Sequence, residues 1–180
     1  MNIAQGWLTQ AMQLQSPNRD QRPEGISISL LVIHNISLPP EQFGGPHIGA
    51  LFCNELDANL HPYFAEIAHL RVSSHLLIDR MGAVTQFVPF EQRAWHAGVS
   101  EFDGRQNCND FSIGIELEGA DTIAYTDLQY TTLARVSQLL LNQYPAINAD
   151  RIVGHSDVAP GRKTDPGPAF DWPRFKQMLI

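Results

Sequence analysis

The run SISLLVIH, residues 27–34, limits the possible folds of this chain more than any other stretch. It is short, apolar and carries β-branched side chains, so it reads as a buried strand that ends on a histidine. RIVGH, residues 151–155, repeats the arrangement and ends on His155. FSIGIEL, residues 111–117, is a third strand, in which Ser112, Gly114 and Glu116 alternate with Phe111, Ile113, Ile115 and Leu117. Glu116 therefore points away from the more apolar face. HLLID (75–79) and VTQFV (84–88) flank Arg80-Met81-Gly82-Ala83, which predicts a β-hairpin with Gly82 at the turn.

Helices supply the cover for these strands. Residues 127–144 place Tyr130, Leu133, Ala134, Ser137, Leu140, Leu141 and Tyr144 on one stripe at helical spacing. Thr126 and Gln129 form a capping box at its start, and Pro145 stops it. A second helix is expected over residues 171–179, with Asp171 as N-cap. The Pro- and Gly-rich stretch 36–50 reads as loop. One hairpin is antiparallel while the remaining strands and helices interleave, so the predicted fold class is α/β, a central mixed β-sheet flanked by helices.

A length of 180 residues suits one compact domain. Residues 17–25 are polar and turn-rich, which predicts an N-terminal arm over 1–25 and a core over 26–180. The composition, 43% hydrophobic and 17% charged, is that of an ordinary globule, and no apolar run is long enough to cross a bilayer. A net charge of −7 argues against a nucleic-acid partner, whose phosphates need a basic stripe. The start, MNIAQGWLTQAMQLQ, lacks the basic and apolar regions of a signal peptide. Cys53 and Cys108 are the only cysteines, too few for a disulfide framework. Both features predict a cytoplasmic protein.

Seven histidines are present. His47, His61 and His69 read as solvated loop residues. His34 and His155 differ because each ends an apolar strand, and strand ends are rigid enough to hold a metal ligand in place. With Asp165 they make two imidazoles and a carboxylate, a donor set that suits Zn²⁺ and leaves a fourth position open. Spacing alone leaves the third place open to Asp157 or His75 as well. Lys163 has two readings, a surface lysine or the stabiliser of an oxyanion. Glu116 and Glu118 share a strand face, and either could act as a general base.

Several ordered blocks then carry a resemblance: LLVIHN, SSHLLIDRMGAVTQFVP, RAWHAGVS, NDFSIGIELEG and GHSDVAPGRKTDPGPAFDW. They are similar to the N-acetylmuramoyl-L-alanine amidases of the second amidase class, and within it to the cytoplasmic branch that recycles cell wall. The likeness runs from the first strand to the last helix. It implies zinc ligands at His34, His155 and Asp165, a proton acceptor at Glu116 rather than Glu118, and a transition-state stabiliser at Lys163. More distant relatives often place a cysteine at the third ligand position, so Asp165 points to the recycling branch. His75 is not a ligand in the family and is expected either to pack or to support the ligands from behind.

The implied substrate is a muropeptide bearing 1,6-anhydro-N-acetylmuramic acid, cut between the lactyl carbonyl and L-alanine. Arg71 would then pair with a peptide carboxylate, Asn35 would hydrogen-bond near the scissile amide, and Trp95 would pack on the sugar. The family often carries a basic residue just before the CND triplet, where this chain has Asn107, with Arg105 nearby. That departure touches the peptide-tail contacts only. The resemblance further implies a role in cell-wall signalling and, in some bacteria, β-lactamase expression. No obligatory protein partner is expected. The competing expectation is a non-catalytic muropeptide sensor.

Overall fold

The computed structural model describes residues 1–179. In chain order the strands and helices are β1 (Ile3–Ala4), β2 (Trp7–Leu8), β3 (Met12–Gln13), β4 (Arg19–Gln21), β5 (Leu30–Ile36), α1 (His47–Phe52), α2 (Pro62–Ile67), β6 (Leu76–Ile78), β7 (Val84–Gln86), β8 (Gln92–Ala94), β9 (Glu101–Phe102), β10 (Arg105–Gln106), β11 (Ser112–Glu118), α3 (Asp127–Gln143), β12 (Ile152–Gly154), α4 (His155–Val158) and α5 (Trp172–Gln177). The expected mixed sheet is present. Six strands lie in the order β12-β5-β11-β6-β7-β3. β12, β5, β11 and β6 run parallel to their neighbours, and the β6–β7 hairpin is antiparallel.

The parallel centre is apolar on both faces because both are covered. On one face Leu31, Ile33, Ile113 and Ile115 meet Leu133, Val136 and Leu140 of α3 and Phe175 of α5. The capping box forms as expected: Thr126 Oγ1 accepts from Gln129 N, and Gln129 Oε1 accepts from Thr126 N. Asp171 caps α5 by accepting from Arg174 N. On the other face Leu30 and Val32 pack with Ala97, Cys108, Phe111 and Val158. A separate apolar cluster joins α1 and α2 to Phe87 and Val88. No helix among the described residues is long and apolar enough to cross a membrane.

Four local expectations need correction. The first strand begins at Leu30 and continues to Ile36, so His34 lies within the ladder rather than at its end. It continues because Asn35 and Ile36 pair with Leu117 and Glu118. His155 is the first residue of α4 instead of the last residue of β12. The stretch 36–50 is not wholly loop: α1 begins at His47 and buries Ile48, Leu51 and Phe52. The segment expected as an arm is woven into the body. Leu8 is fully buried, β3 joins the sheet beside β7, and Gln86 binds Leu8 N and Gly6 O. Arg22 donates to the carbonyls of Phe90, Asn109, Asp110 and Ser112. Its burial, only partly offset by nearby Tyr144 and acidic groups, brings its pKa down to about 10. Polar side chains made this segment look solvated, and the hydrogen bonds that tie it to the body reach far along the chain.

Candidate active site

Parallel register builds the site. Glu116 of β11 stands opposite His34 of β5, and Gly154 of β12 opposite Ile33. His155, one residue past Gly154, therefore arrives beside His34. The loop after α4 brings Asp165 back to the same point, held by Ser156 N donating to Asp165 O at 3.0 Å.

His34 Nδ1 lies 2.9 Å from His155 Nδ1 and 3.2 Å from Asp165 Oδ2, and His155 Nδ1 lies 3.0 Å from the same oxygen. Ligand atoms about 2.0–2.1 Å from a tetrahedral zinc lie about 3.3 Å from one another, so this spacing fits such an ion. Tautomer supports the fit. The far nitrogen of His155, Nε2, faces the Ala97 carbonyl at 3.3 Å, and a carbonyl can only accept. The proton therefore sits on Nε2, and Nδ1 presents a lone pair to the cluster. Burial holds His34 neutral, with a pKa lowered to about 4. Burial raises the Asp165 pKa, but the close approach of His155 and His34 outweighs it and holds the carboxyl well below the usual range. Two imidazoles and one carboxylate converging on a point are a cation's donor set, and these three residues could hold a metal ion.

The rival third ligands are engaged elsewhere. Asp157 Oδ2 accepts from Gly154 N at 2.7 Å. His75 Nδ1 accepts from Gly114 N, and its Nε2 faces Gln92 O. The two glutamates separate in the same way. Glu118 accepts from the backbone nitrogens of Gly44 and Arg80. Glu116 Oε2 is buried with no hydrogen-bond partner among the described residues. Burial, and then the Asp165 charge, push the Glu116 pKa well above the carboxylate range, while Lys163 opposes them.

The cluster opens into a cleft of about 330 Å³ lined by Glu116, Lys163, Trp95 and Tyr63 along with the three candidate ligands. Lys163 is exposed at its rim. Arg71 is exposed and lines an adjoining hollow with Trp95 and Lys163, touching only the carbonyls of Ala68, His69 and Leu70 at 3.3–3.5 Å. Asn35 lines the cleft. Its amide nitrogen donates to Asp121 Oδ1 and to Pro166 O, which leaves no amide hydrogen for a ligand. It thereby braces the residue after Asp165. Arg105 lies over the Phe111 ring at 3.9 Å, and Asn107 adopts a left-handed backbone with φ 60°. Of the loop histidines, His61 caps α2 by accepting from Tyr63 N, and His47 packs near Phe64.

Sequence reasoning missed His96. It is 9% exposed, and its Nδ1 lies 2.9 Å from His34 Nε2. One signal was available. Gly114 sits in the middle of a buried strand, where glycine marks the close approach of another group. A Cβ at Gly114 would stand 2.5 Å from His96 Cγ.

This α/β scaffold and its site define a class. Residues 24–168 match the family described as N-acetylmuramoyl-L-alanine amidase, and the chain belongs to that family. It is 62% identical over 174 residues to the 1,6-anhydro-N-acetylmuramyl-L-alanine amidase AmpD of Salmonella typhimurium (strain SL1344), covering 97% of this chain and 92% of that one. Its backbone is similar to the crystal structure of a Se-Met AmpD derivative, with TM-score 0.97, 59% identity and 100% of both chains covered. It is also similar, at TM-score 0.62 and 28% identity, to the Escherichia coli amidase AmiD in complex with anhydro-N-acetylmuramic acid-L-Ala-D-gamma-Glu-L-Lys. That match covers 89% of this chain and 61% of AmiD.

Proposed function

We propose that this chain is a zinc-dependent amidase of peptidoglycan recycling. It hydrolyses the amide between the lactyl carbonyl of 1,6-anhydro-N-acetylmuramic acid and L-alanine. The unpaired Oε2 of Glu116 is the observation that carries the reading. A buried polar atom without a partner costs about 1–3 kcal/mol. A sensor has no use for that cost, whereas a hydrolase needs a free carboxylate oxygen beside the reacting water. The substrate follows the name of the AmpD relative and the ligand named in the AmiD complex.

Zinc held by His34 Nδ1, His155 Nδ1 and Asp165 would supply Lewis-acid polarisation of the scissile carbonyl and of the attacking water. Glu116 Oε2 accepts the proton of that water and returns one to the departing alanine nitrogen. Its raised pKa suits a group that must work in both directions. The Lys163 ammonium, at the cleft rim, offsets the negative charge that grows on the former carbonyl oxygen. Arg71 pairs with a peptide carboxylate, and Trp95 gives the sugar an apolar wall. Asn35 Oδ1 hydrogen-bonds near the scissile amide, while its amide nitrogen braces the loop that carries Asp165. The free thiols of Cys53 and Cys108 support a cytoplasmic site of action.

Incubation with an anhydro-muropeptide, with and without a chelator, tests the reading. Free peptide with an alanine amino terminus is expected, and is lost on chelation and restored by zinc. Binding without cleavage by fully zinc-loaded protein would establish the sensor instead.

A further inference from the structure

We propose that His96 is a positioning residue that fixes the tautomer of His34, with Ser112 behind it and Gly114 beneath it. The inference rests on the zinc reading above and extends it to residues outside the ligand set.

The two imidazole ligands are held differently. His155 has a backbone carbonyl behind it, which leaves one tautomer. His34 Nε2 faces another imidazole nitrogen, His96 Nδ1, at 2.9 Å. A ring nitrogen either donates or accepts, so the pair alone does not decide the matter. The next contact completes the chain. His96 Nε2 lies 3.0 Å from Ser112 Oγ, which can accept. With the proton of His96 on Nε2, its Nδ1 presents a lone pair to the His34 Nε2–H. The His34 Nδ1 lone pair then points at the cation site.

His96 is what makes this tautomer affordable in a dry interior. Without an acceptor at that point, the Nε2–H of His34 would be a buried unpaired donor. Its proton would move to Nδ1, bond to Asp165 Oδ2 at 3.2 Å, and occupy the direction the metal needs.

The surroundings hold the His96 ring in place. Asn109 Oδ1 accepts from the backbone nitrogens of both His96 and Ala97. The ring lies against the bare backbone of Gly114, where any side chain would displace it. Ser112, Gly114 and Glu116 thus form one face of β11 in three roles: end of the relay, seat of the ring, and free carboxylate.

Zinc affinity measured by chelator competition, together with ¹⁵N histidine spectra, tests the proposal. His96→Leu is expected to weaken zinc binding by about 10–100-fold. His96→Asn is expected to stay close to the parent, because its amide oxygen sits where Nδ1 did. A purely structural role would penalise both alike, since both lose the Ser112 contact. Ser112→Ala, the mildest change, is expected to weaken zinc binding and to move the His96 proton from Nε2 to Nδ1. In the zinc-loaded parent, His34 and His96 should each carry their proton on Nε2. Equal losses in the Leu and Asn variants, or a His96 proton found on Nδ1 in the loaded parent, overturn the proposal. So does Ser112→Ala with unchanged affinity. A parent protein that takes up no zinc overturns the metal reading and this inference with it, whereas the other outcomes leave the metal reading standing.

Discussion

Two buried polar regions lie close together in this molecule and are built on opposite terms. Around Asn18, which is 2% exposed, the buried side-chain nitrogen and oxygen both have partners. Its amide nitrogen reaches Phe52 O, Asn54 Oδ1 and Val72 O, and its oxygen accepts from Asn54. Ser16 and Ser73 extend the same net to Phe52 O and Asn18 O. Around His34, by contrast, acceptors crowd one point and Glu116 keeps a free oxygen. Satisfied polar groups fix geometry, whereas unsatisfied ones store a demand for a ligand or a proton. The two regions touch where Ser73 Oγ accepts from the backbone nitrogen of Trp95, a cleft residue. The net around Asn18 is the frame, and the cluster around His34 is what it holds open.

Mutations should sort by region. The largest effect is expected from His155→Ala or Asp165→Ala, which should abolish both zinc uptake and cleavage while far-ultraviolet dichroism of the chain persists. Retained stoichiometric zinc with full turnover would dissolve the distinction between the regions.

Glu116→Gln comes next, with a rate loss of about 10²–10⁴-fold from removing a general base. The same substitution should raise stability at neutral pH, because it removes the cost of burying a carboxylate charge. The sign follows from the raised pKa of Glu116. Its favourable contribution is present at pH values below the ordinary carboxylate range and is lost as pH rises through the raised value. Denaturation of metal-free protein should therefore show the glutamine variant ahead at neutral pH and level with the parent in acid.

Lys163→Ala should cost about 10²–10³-fold in turnover at intact zinc content. Near-normal turnover would remove Lys163 from the mechanism. Smallest in catalysis is Asn18→Ala. It should lower stability by about 1–3 kcal/mol, read from a denaturant midpoint, and leave the turnover of folded protein unchanged.

The sequence made some of this legible and hid the rest for physical reasons. The strands around His34, Glu116 and His155 were readable because burial on both faces demands apolar runs. The α3 boundaries were readable because caps are local chemistry between Thr126 and Gln129. Strand ends were misjudged at His34 and His155, since pairing with a neighbour, not composition, decides where a ladder stops. The buried roles of Asn18 and Arg22 were invisible, because their partners are carbonyls far along the chain. Spacing could not choose among Asp165, Asp157 and His75. Resemblance chose, and the hydrogen bonds that engage Asp157 and His75 supply a physical reason. His96 escaped because its meaning lies in a ring laid on Gly114 from a distant loop.

The parallel pairing of β12, β5 and β11 has one further consequence. Strand pairing joins His34 to Glu116 and His155 across more than a hundred residues of sequence, so no short segment of the polypeptide contains the whole cluster. A growing chain exposes His34 long before His155 and Asp165 exist. A metal held by these residues would be captured only after the last strand has docked.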